Sequence, residues 1–540
     1  MFDITIFFRW IQTHVTKRDI LLMGGLLLLF LLTRLINLTQ FPIFTDEGIY
    51  IHWSYVAWKD ATMRFISLTD GRQPLQTWAT IPFLKLFPQD KLLAGRLFSV
   101  MTGGIALAGL VSFIWYELGK RAAYTSALLY IITPYFLFYD RTALVDSAIN
   151  AFVIWMFFIS ILMARKMRLD IAIILGLVSG LALLGKSSMR LYTGLMFFSF
   201  IFVLGSDQKN GLKQGFKDLK EKLFGKNHIR RSLYNFCILY GTVIILATVV
   251  YNVQRLSPYM HFIEQKNTTF VLTIPELIAH PFSYFTFNIW SIPYYILSEM
   301  GYVVGVIGII GIGILYKKHR LVSTYLLLWI VLGITMLSFV GKVVYPRYVL
   351  PFGGLLLIPA GYLISEIQNK KLLAGVSVAV LASVLYFNYT ILFQPARIPF
   401  PEIDRGQYLE GWPSGWGIKE IAEYAREKAT DKPVYILADG DFGMSGDVLR
   451  VHVRDDDQVF VKAYWPLNDE NLKENQALLK DHYVFVVYPH CKEANYKDPL
   501  SDDMRCMNFE KRRPLKLIQA YKKPGNSAAI YLFELLPAKE

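Results

Sequence analysis

The stretch that decides the fold runs from Ile20 to Tyr55. It reads ILLMGGLLLLFLLTRLINL over 20–38 and TQFPIFTDEGIYIHWSY over 39–55. The first part is long and apolar enough to cross about 30 Å of hydrocarbon as a helix. Arg9, His14, Lys17 and Arg18 precede it, and Arg34 closes its apolar core where a signal peptide would carry small residues. It therefore reads as an uncleaved first span. In the second part the first ionisable residues are an adjacent carboxylate pair, Asp46 and Glu47, set among Phe41, Phe44, Tyr50, Trp53 and Tyr55. Carboxylates at the mouth of a span lose hydration, and membrane proteins keep them for ion handling, proton transfer or catalysis. The plainer alternative is two solvated loop acids.

Composition extends this reading to the whole chain. Of 540 residues, 54% are hydrophobic and only 18% charged, where a soluble protein carries about a quarter. The formal charge of +14 is not a nucleic-acid signature: residues 397–540 hold 21 Lys and Arg against 24 Asp and Glu, so the excess lies in the apolar portion. Cys237, Cys491 and Cys506 are too few for a disulfide scaffold or a metal cluster.

Apolar runs predict eleven spans, near 20–38, 96–117, 122–140, 147–164, 171–186, 191–205, 233–253, 294–316, 321–340, 347–366 and 372–393. The segment 74–87 (PLQTWATIPFLKLF) is half a span with two prolines, and reads as interfacial or re-entrant. With residues 1–19 in the cytoplasm, the dense basic loops fall inside: Lys120-Arg121, Arg165-Lys166-Arg168, 206–232, Lys317-Lys318-Arg320 and Lys370-Lys371. Counting 74–87 as a full span would invert every later loop and destroy that bias. Seven basic residues then remain at the outer face against the rule: Arg72, Arg96, Arg141, Lys186, Arg190, Lys342 and Arg347. Asp46, Glu47 and Asp146 share that side. An anionic ligand explains such a set better than snorkelling to headgroups, which accounts for one or two cations.

The predicted architecture is a polytopic α-helical membrane domain over 20–393, with a first outer loop at 39–95, followed by an extracytoplasmic α/β domain over 394–540. After prolines 395, 399 and 401, the tail shows a helical pattern at Ile418–Lys428 and another at Leu472–Leu479. Strand patterns lie at Val434–Ala438, Val459–Tyr464, Tyr483–Tyr488 and Ala528–Leu535. Cys491 and Cys506 can pair in that setting or remain thiols. Asp455-Asp456-Asp457 and Asp439-x-Asp441 read as solvated surface sooner than as a cation loop. Trp412 and Trp416, in YLEGWPSGWG (408–417), suit either sugar stacking or a folded linker.

Carboxylates beside clustered cations suit group transfer from a phosphate-activated donor. A carboxylate takes the proton of the attacking hydroxyl, and Arg or Lys neutralises the departing phosphate. The order of these features resembles the GT-C glycosyltransferases of family 39, the protein O-mannosyltransferase and aminoarabinose transferase type. Asp46-Glu47 with Tyr50 is similar to the family's first outer-loop acidic pair. Gly71-Arg72-Gln73-Pro74-Leu75 loosely matches its Pro-Pro-Leu segment, and Arg96 its second-span arginine. Arg141 and Asp146, Gly185-Lys186-Ser187, and Lys342, Arg347, Tyr348, Leu350 and Pro351 follow in family order. The resemblance spans about 20–390. It implies an outward-facing, inverting enzyme of the plasma (inner) membrane that uses a polyprenyl-phosphate-linked sugar. Asp46 is implied as base, with Glu47 and Asp146 as further catalytic carboxylates. Arg72, Arg96, Arg141, Lys186, Lys342 and Arg347 are implied on the donor phosphate. Tyr50, Trp53, Tyr345, Trp412 and Trp416 are candidate sugar or acceptor contacts, and a divalent cation (Mg or Mn) on Asp46 and Asp146 stays open. The acceptor is a lipid, glycan or protein hydroxyl. The competing class is a transporter or flippase of an anionic lipid-linked substrate. It would show matching broken spans in two halves, a symmetry the sequence lacks.

Overall fold

The computed structural model describes residues 15–204, 227–492, 513–525 and 528–538. Most of the basic loop 206–232 lies outside these residues, as does Cys506. Among the described residues, six helices are long and apolar enough to cross a membrane: Lys91–Leu118, Asp146–Lys166, Arg231–Leu256, Arg320–Val340, Pro346–Glu366 and Lys370–Phe393. Lys17–Leu35, Lys120–Ile132, Leu169–Leu183 and Met189–Leu195 are further apolar helices that pack with them. The expected half-span is a helix of 12 residues, Leu75–Leu86.

One expected span is corrected. The run 294–316 is not a single helix but two, Phe285–Glu299 and Val303–Lys318, meeting at 112°. The chain turns at Gly301 and Tyr302, both with positive φ (71° and 56°), which ends the first helix.

Ion pairs sort the helix ends into two groups. At one end Lys120 bonds Asp19 at 2.6 Å, Arg165 meets Glu117, and Lys318 meets Glu366. At the other end Arg34 meets Asp140, Arg96 meets Glu47, and Lys186 meets Asp146. Charges at a span end are costly when unpaired in a low dielectric, so each is neutralised by a neighbour at the same level.

The tail folds as a mixed sheet of β1 (Val434–Asp439), β2 (Val459–Tyr464), β3 (Tyr483–Lys492), β4 (Leu515–Lys522) and β5 (Ala528–Leu535). The order is β2-β1-β3-β5-β4, with β1 parallel to β2 and β3, and β5 antiparallel to β3 and β4. The two parallel crossovers run through Gly446–His452 and through Asp469–Glu474 with the turn after it. Helix Gly446–His452 and strand β4 carry no clear pattern in the sequence and are additions to the expected elements. Cys491 is disulfide-bonded and Cys237 is free.

This sheet domain is docked on the first outer loop. Residues 45–59 form a helix rather than an irregular loop, and Ile43 and Ile51 share a core with Val448, Leu449 and Ile436. Contact is so close that a Cβ on Gly48 would stand 2.5 Å from Val448 Cγ1. His52 Nδ1 lies 2.6 Å from Asp447 Oδ1, and Lys59 donates to Asp455 at 2.9 Å. The stretch 411–417 straps the start of this helix: Thr45 N donates to Pro413 O at 2.9 Å.

Candidate active site

Asp46 occupies the second position of the loop helix, where the unpaired N–H groups and the helix dipole favour an anion. Arg72 Nη2 donates to its Oδ1 at 3.1 Å and Arg347 Nη2 to its Oδ2 at 2.9 Å. Burial pushes this carboxyl up, but the two guanidiniums outweigh burial and hold it below its ordinary range. Beside it, Lys186 donates to Asp146 Oδ1 at 2.6 Å, with its ammonium 3.9 Å from the Tyr348 ring centroid. Lys186 is close enough to add its field at Asp46. These five residues come from five separate parts of the chain, and their convergence is the site.

Local bonds explain how they meet. Gln73 donates to Ser187 Oγ, and Leu75 N donates to Leu184 O at 3.0 Å, which ties the Arg72 segment to the Lys186 turn. Asp70 Oδ2 accepts from Arg72 Nε at 3.0 Å and aims the guanidinium. Tyr135 donates to Pro346 O and fixes the short 3₁₀ turn 346–349 that carries Arg347. Aromatic faces line the cations. Tyr50 lies 5.2 Å from Arg72, and Phe44, Tyr345 and Tyr348 lie within 5.4 Å of Arg347. Arg347 Nη1 is buried without a hydrogen-bond partner among the described residues, a donor left over for an anion.

Several expected site residues are elsewhere. Glu47 is fully buried and accepts four bonds: from Arg96 Nε and Nη2 at 2.9 Å each, from Phe44 N at 3.0 Å, and from Ala143 N at 2.7 Å. Its oxygens are filled, and it caps the loop helix instead of facing a substrate. Arg96 also donates to the Leu38 and Phe41 carbonyls, so in this structure it clamps the loop to Glu47. Arg141 is spent on the carbonyls of Thr33, Arg34 and Asn37. Lys342 pairs with Glu276 at 2.9 Å on another outer segment. Trp416 donates to Tyr408 O and packs near Phe41, which anchors the linker, while Trp412 is exposed on the strap. Tyr348, expected only as part of the Lys342–Pro351 motif, and Asp70, not among the expected residues, both lie at this cluster. Asp70 lies two residues before Arg72, a spacing that signals a local acid–base pair.

Asp46 and Asp146 are each neutralised by basic side chains, and the described residues contain no group of three or more His, Cys, Asp or Glu able to hold a metal.

Residues 72–219 match the family model described as dolichyl-phosphate-mannose-protein mannosyltransferase. The fold is similar to the crystal structure of ArnT from Cupriavidus metallidurans in the apo state. That match has 13% identity and a TM-score of 0.55, and covers 95% of this chain and 97% of the other. The same protein bound to undecaprenyl phosphate gives 13% identity and a TM-score of 0.58 over 96% and 98%. No curated protein matches the sequence. The family model matches one part of the chain, and the likeness to ArnT shows a shared fold: a bundle of apolar helices, several long enough to cross a membrane, with a small C-terminal sheet domain.

Proposed function

We propose that this enzyme transfers a sugar from a polyprenyl-phosphate-linked donor to a hydroxyl acceptor at the outer face of the plasma (inner) membrane, by a single inverting displacement. The observation that carries this reading is Asp46 held between Arg72 and Arg347, next to Lys186–Asp146. In the reaction the acceptor oxygen forms a bond to the anomeric carbon. The bond from that carbon to the phosphate oxygen breaks, and its electrons leave on polyprenyl phosphate. Asp46 takes the acceptor's proton. Arg72, Arg347 and Lys186 neutralise the departing phosphate, and Asp146 orients Lys186. Undecaprenyl phosphate in the related ArnT structure is consistent with such a donor.

The topology proposed with it has eleven spans, a cytoplasmic N-terminus and the C-terminal domain outside. The sorting of ion pairs into two helix-end groups supports it, since Lys120, Arg165 and Lys318 fall together on the end opposite Asp46.

The test is Asp46→Asn in membranes supplied with labelled polyprenyl-phosphate sugar. Transfer should fall by about 10²–10⁴-fold, the usual worth of a general base, with expression unchanged. Full activity would overturn the assignment of the base. Reconstituted protein that moves lipid-linked sugar between leaflets without transferring it would favour a flippase.

A further inference from the structure

Phe442 of the C-terminal domain packs against Trp53 of the loop helix. Asp46, Tyr50 and Trp53 are spaced i, i+4, i+7 and form one stripe along this helix. Tyr50 and Trp53 meet edge to face at 6.0 Å, and the Trp53 ring lies 5.8 Å from that of Phe442 at a tilt of 38°. Trp53 is 5% exposed and backs the row, whereas Phe442 is 50% exposed. A half-exposed phenyl ring gains little from its position unless something covers it.

The loop that presents it is rigidly placed. Asp447 Oδ2 accepts from Gly443 N at 2.7 Å, and Asp447 Oδ1 faces His52 on the loop helix. Arg450 bonds Asp441 at 3.2 Å. A Cβ on Gly443 would lie 3.4 Å from Thr45 Cγ2 and 3.5 Å from Ile49 Cδ1, so the loop abuts the helix turn that bears Asp46. Gly440 and Gly443 adopt φ of +105° and +78°, a backbone path that fixes where Phe442 points.

We propose that Phe442, with Tyr50 and backed by Trp53, forms a stacking platform for a sugar ring of the acceptor. This rests on the glycosyltransfer reading above. From the rise per residue, Tyr50 stands about 6 Å and Trp53 about 10 Å along the helix axis from Asp46, so a ring held on Phe442, against Trp53, is not the one being attacked. The acceptor is then an oligosaccharide, or a glycan-bearing molecule of more than one sugar, and the C-terminal domain helps select it. Aromatic faces suit this because the apolar face of a pyranose stacks on them while its hydroxyls stay hydrated.

The test uses full-length enzyme, a tritiated polyprenyl-phosphate sugar as donor, and water-soluble oligosaccharides released from the cell envelope as acceptor. Phe442→Ala and Phe442→Leu should each raise the half-saturating acceptor concentration about fivefold, a loss of stacking at constant kcat and constant donor KM. Phe442→Trp should restore the wild-type value. Leu keeps the bulk and the loop's packing, so an effect in both variants is loss of the ring and not collapse of the loop. Unchanged acceptor dependence in both variants overturns the platform, as does label entering only molecules that carry fewer than two sugars. Wild-type enzyme that transfers to no fraction overturns the glycosyltransfer reading itself, and the platform with it.

Discussion

Asp46 and Glu47 are neighbours in sequence with the same chemistry, and the structure predicts opposite consequences for removing them. Glu47→Gln leaves the shape but turns one oxygen into a donor facing Arg96, Phe44 N or Ala143 N, all of which already donate. Arg96 and Glu47 are both fully buried, so the guanidinium is left without a counter-charge out of water. Breaking such a pair from one side costs about 3–5 kcal/mol. At about 2–4 °C per kcal/mol for a folding unit of 150–250 residues, the thermal midpoint should drop on the order of 10 °C. Asp46→Asn should move it little, because Arg72 keeps Asp70 as partner and the site is partly open to water. The assay is thermal unfolding of detergent-solubilised protein at one scan rate, alongside transfer activity per folded molecule. Glu47→Gln with an unshifted midpoint and abolished turnover would refute the structural role and return Glu47 to the chemistry. The double variant Glu47→Met, Arg96→Met should recover part of the loss, since it removes the orphaned charge.

Further outcomes follow from the same geometry. Arg347→Lys loses the bidentate reach of guanidinium and should lower kcat by about 10²-fold, the scale of one lost oxyanion contact, measured with saturating donor. The proposed mechanism neutralises the leaving phosphate with basic side chains, so on that reading transfer should survive EDTA; strict Mg or Mn dependence would contradict it. Lys523 is buried with its ammonium on Gly411 O at 2.9 Å, and burial lowers its pKa to about 7 from an ordinary 10.5. The unfolded chain therefore binds the extra proton between about pH 7 and 10.5, so stability rises with pH across that window, and Lys523→Met should flatten the rise in a melting series. For Asp46, the acid limb of kcat should lie at higher pH than the acid limb of kcat/KM for the donor, as read from initial rates over pH 4–8.

Much of the fold is legible in the sequence because apolar run length and basic-loop bias are bulk properties that survive local irregularity. The break at Gly301-Tyr302 is not, since a bend inside a continuous apolar run leaves composition unchanged. Helix Gly446–His452 is too short for a period to show, and β4 carries lysines on a partly exposed strand. At the candidate site, the sequence grouped the residues by face but did not give their partners. Arg96 and Arg347 look alike as outer cations, and only the phase of the loop helix separates them. Adjacent helical residues diverge by about 100°, so Asp46 and Glu47 cannot serve one centre. Treating 45–59 as a helix, on the strength of Glu47 as a cap acid, would have shown this.

The resting arrangement also makes sense of why the base is held by the same cations that the leaving group needs. With both oxygens on Arg72 and Arg347, Asp46 is a weak base, since its carboxyl sits below the ordinary range. A donor phosphate competes for those guanidiniums, and Arg347 Nη1 is already free to receive it. Each bond that moves from carboxylate to phosphate raises the basicity of Asp46 and stabilises the charge that the reaction will deposit. Water entering without donor meets a carboxylate that is neutralised on both sides. On the proposed mechanism, base strength is thus conditional on donor occupancy, and one carboxylate between two arginines is the arrangement that mechanism calls for.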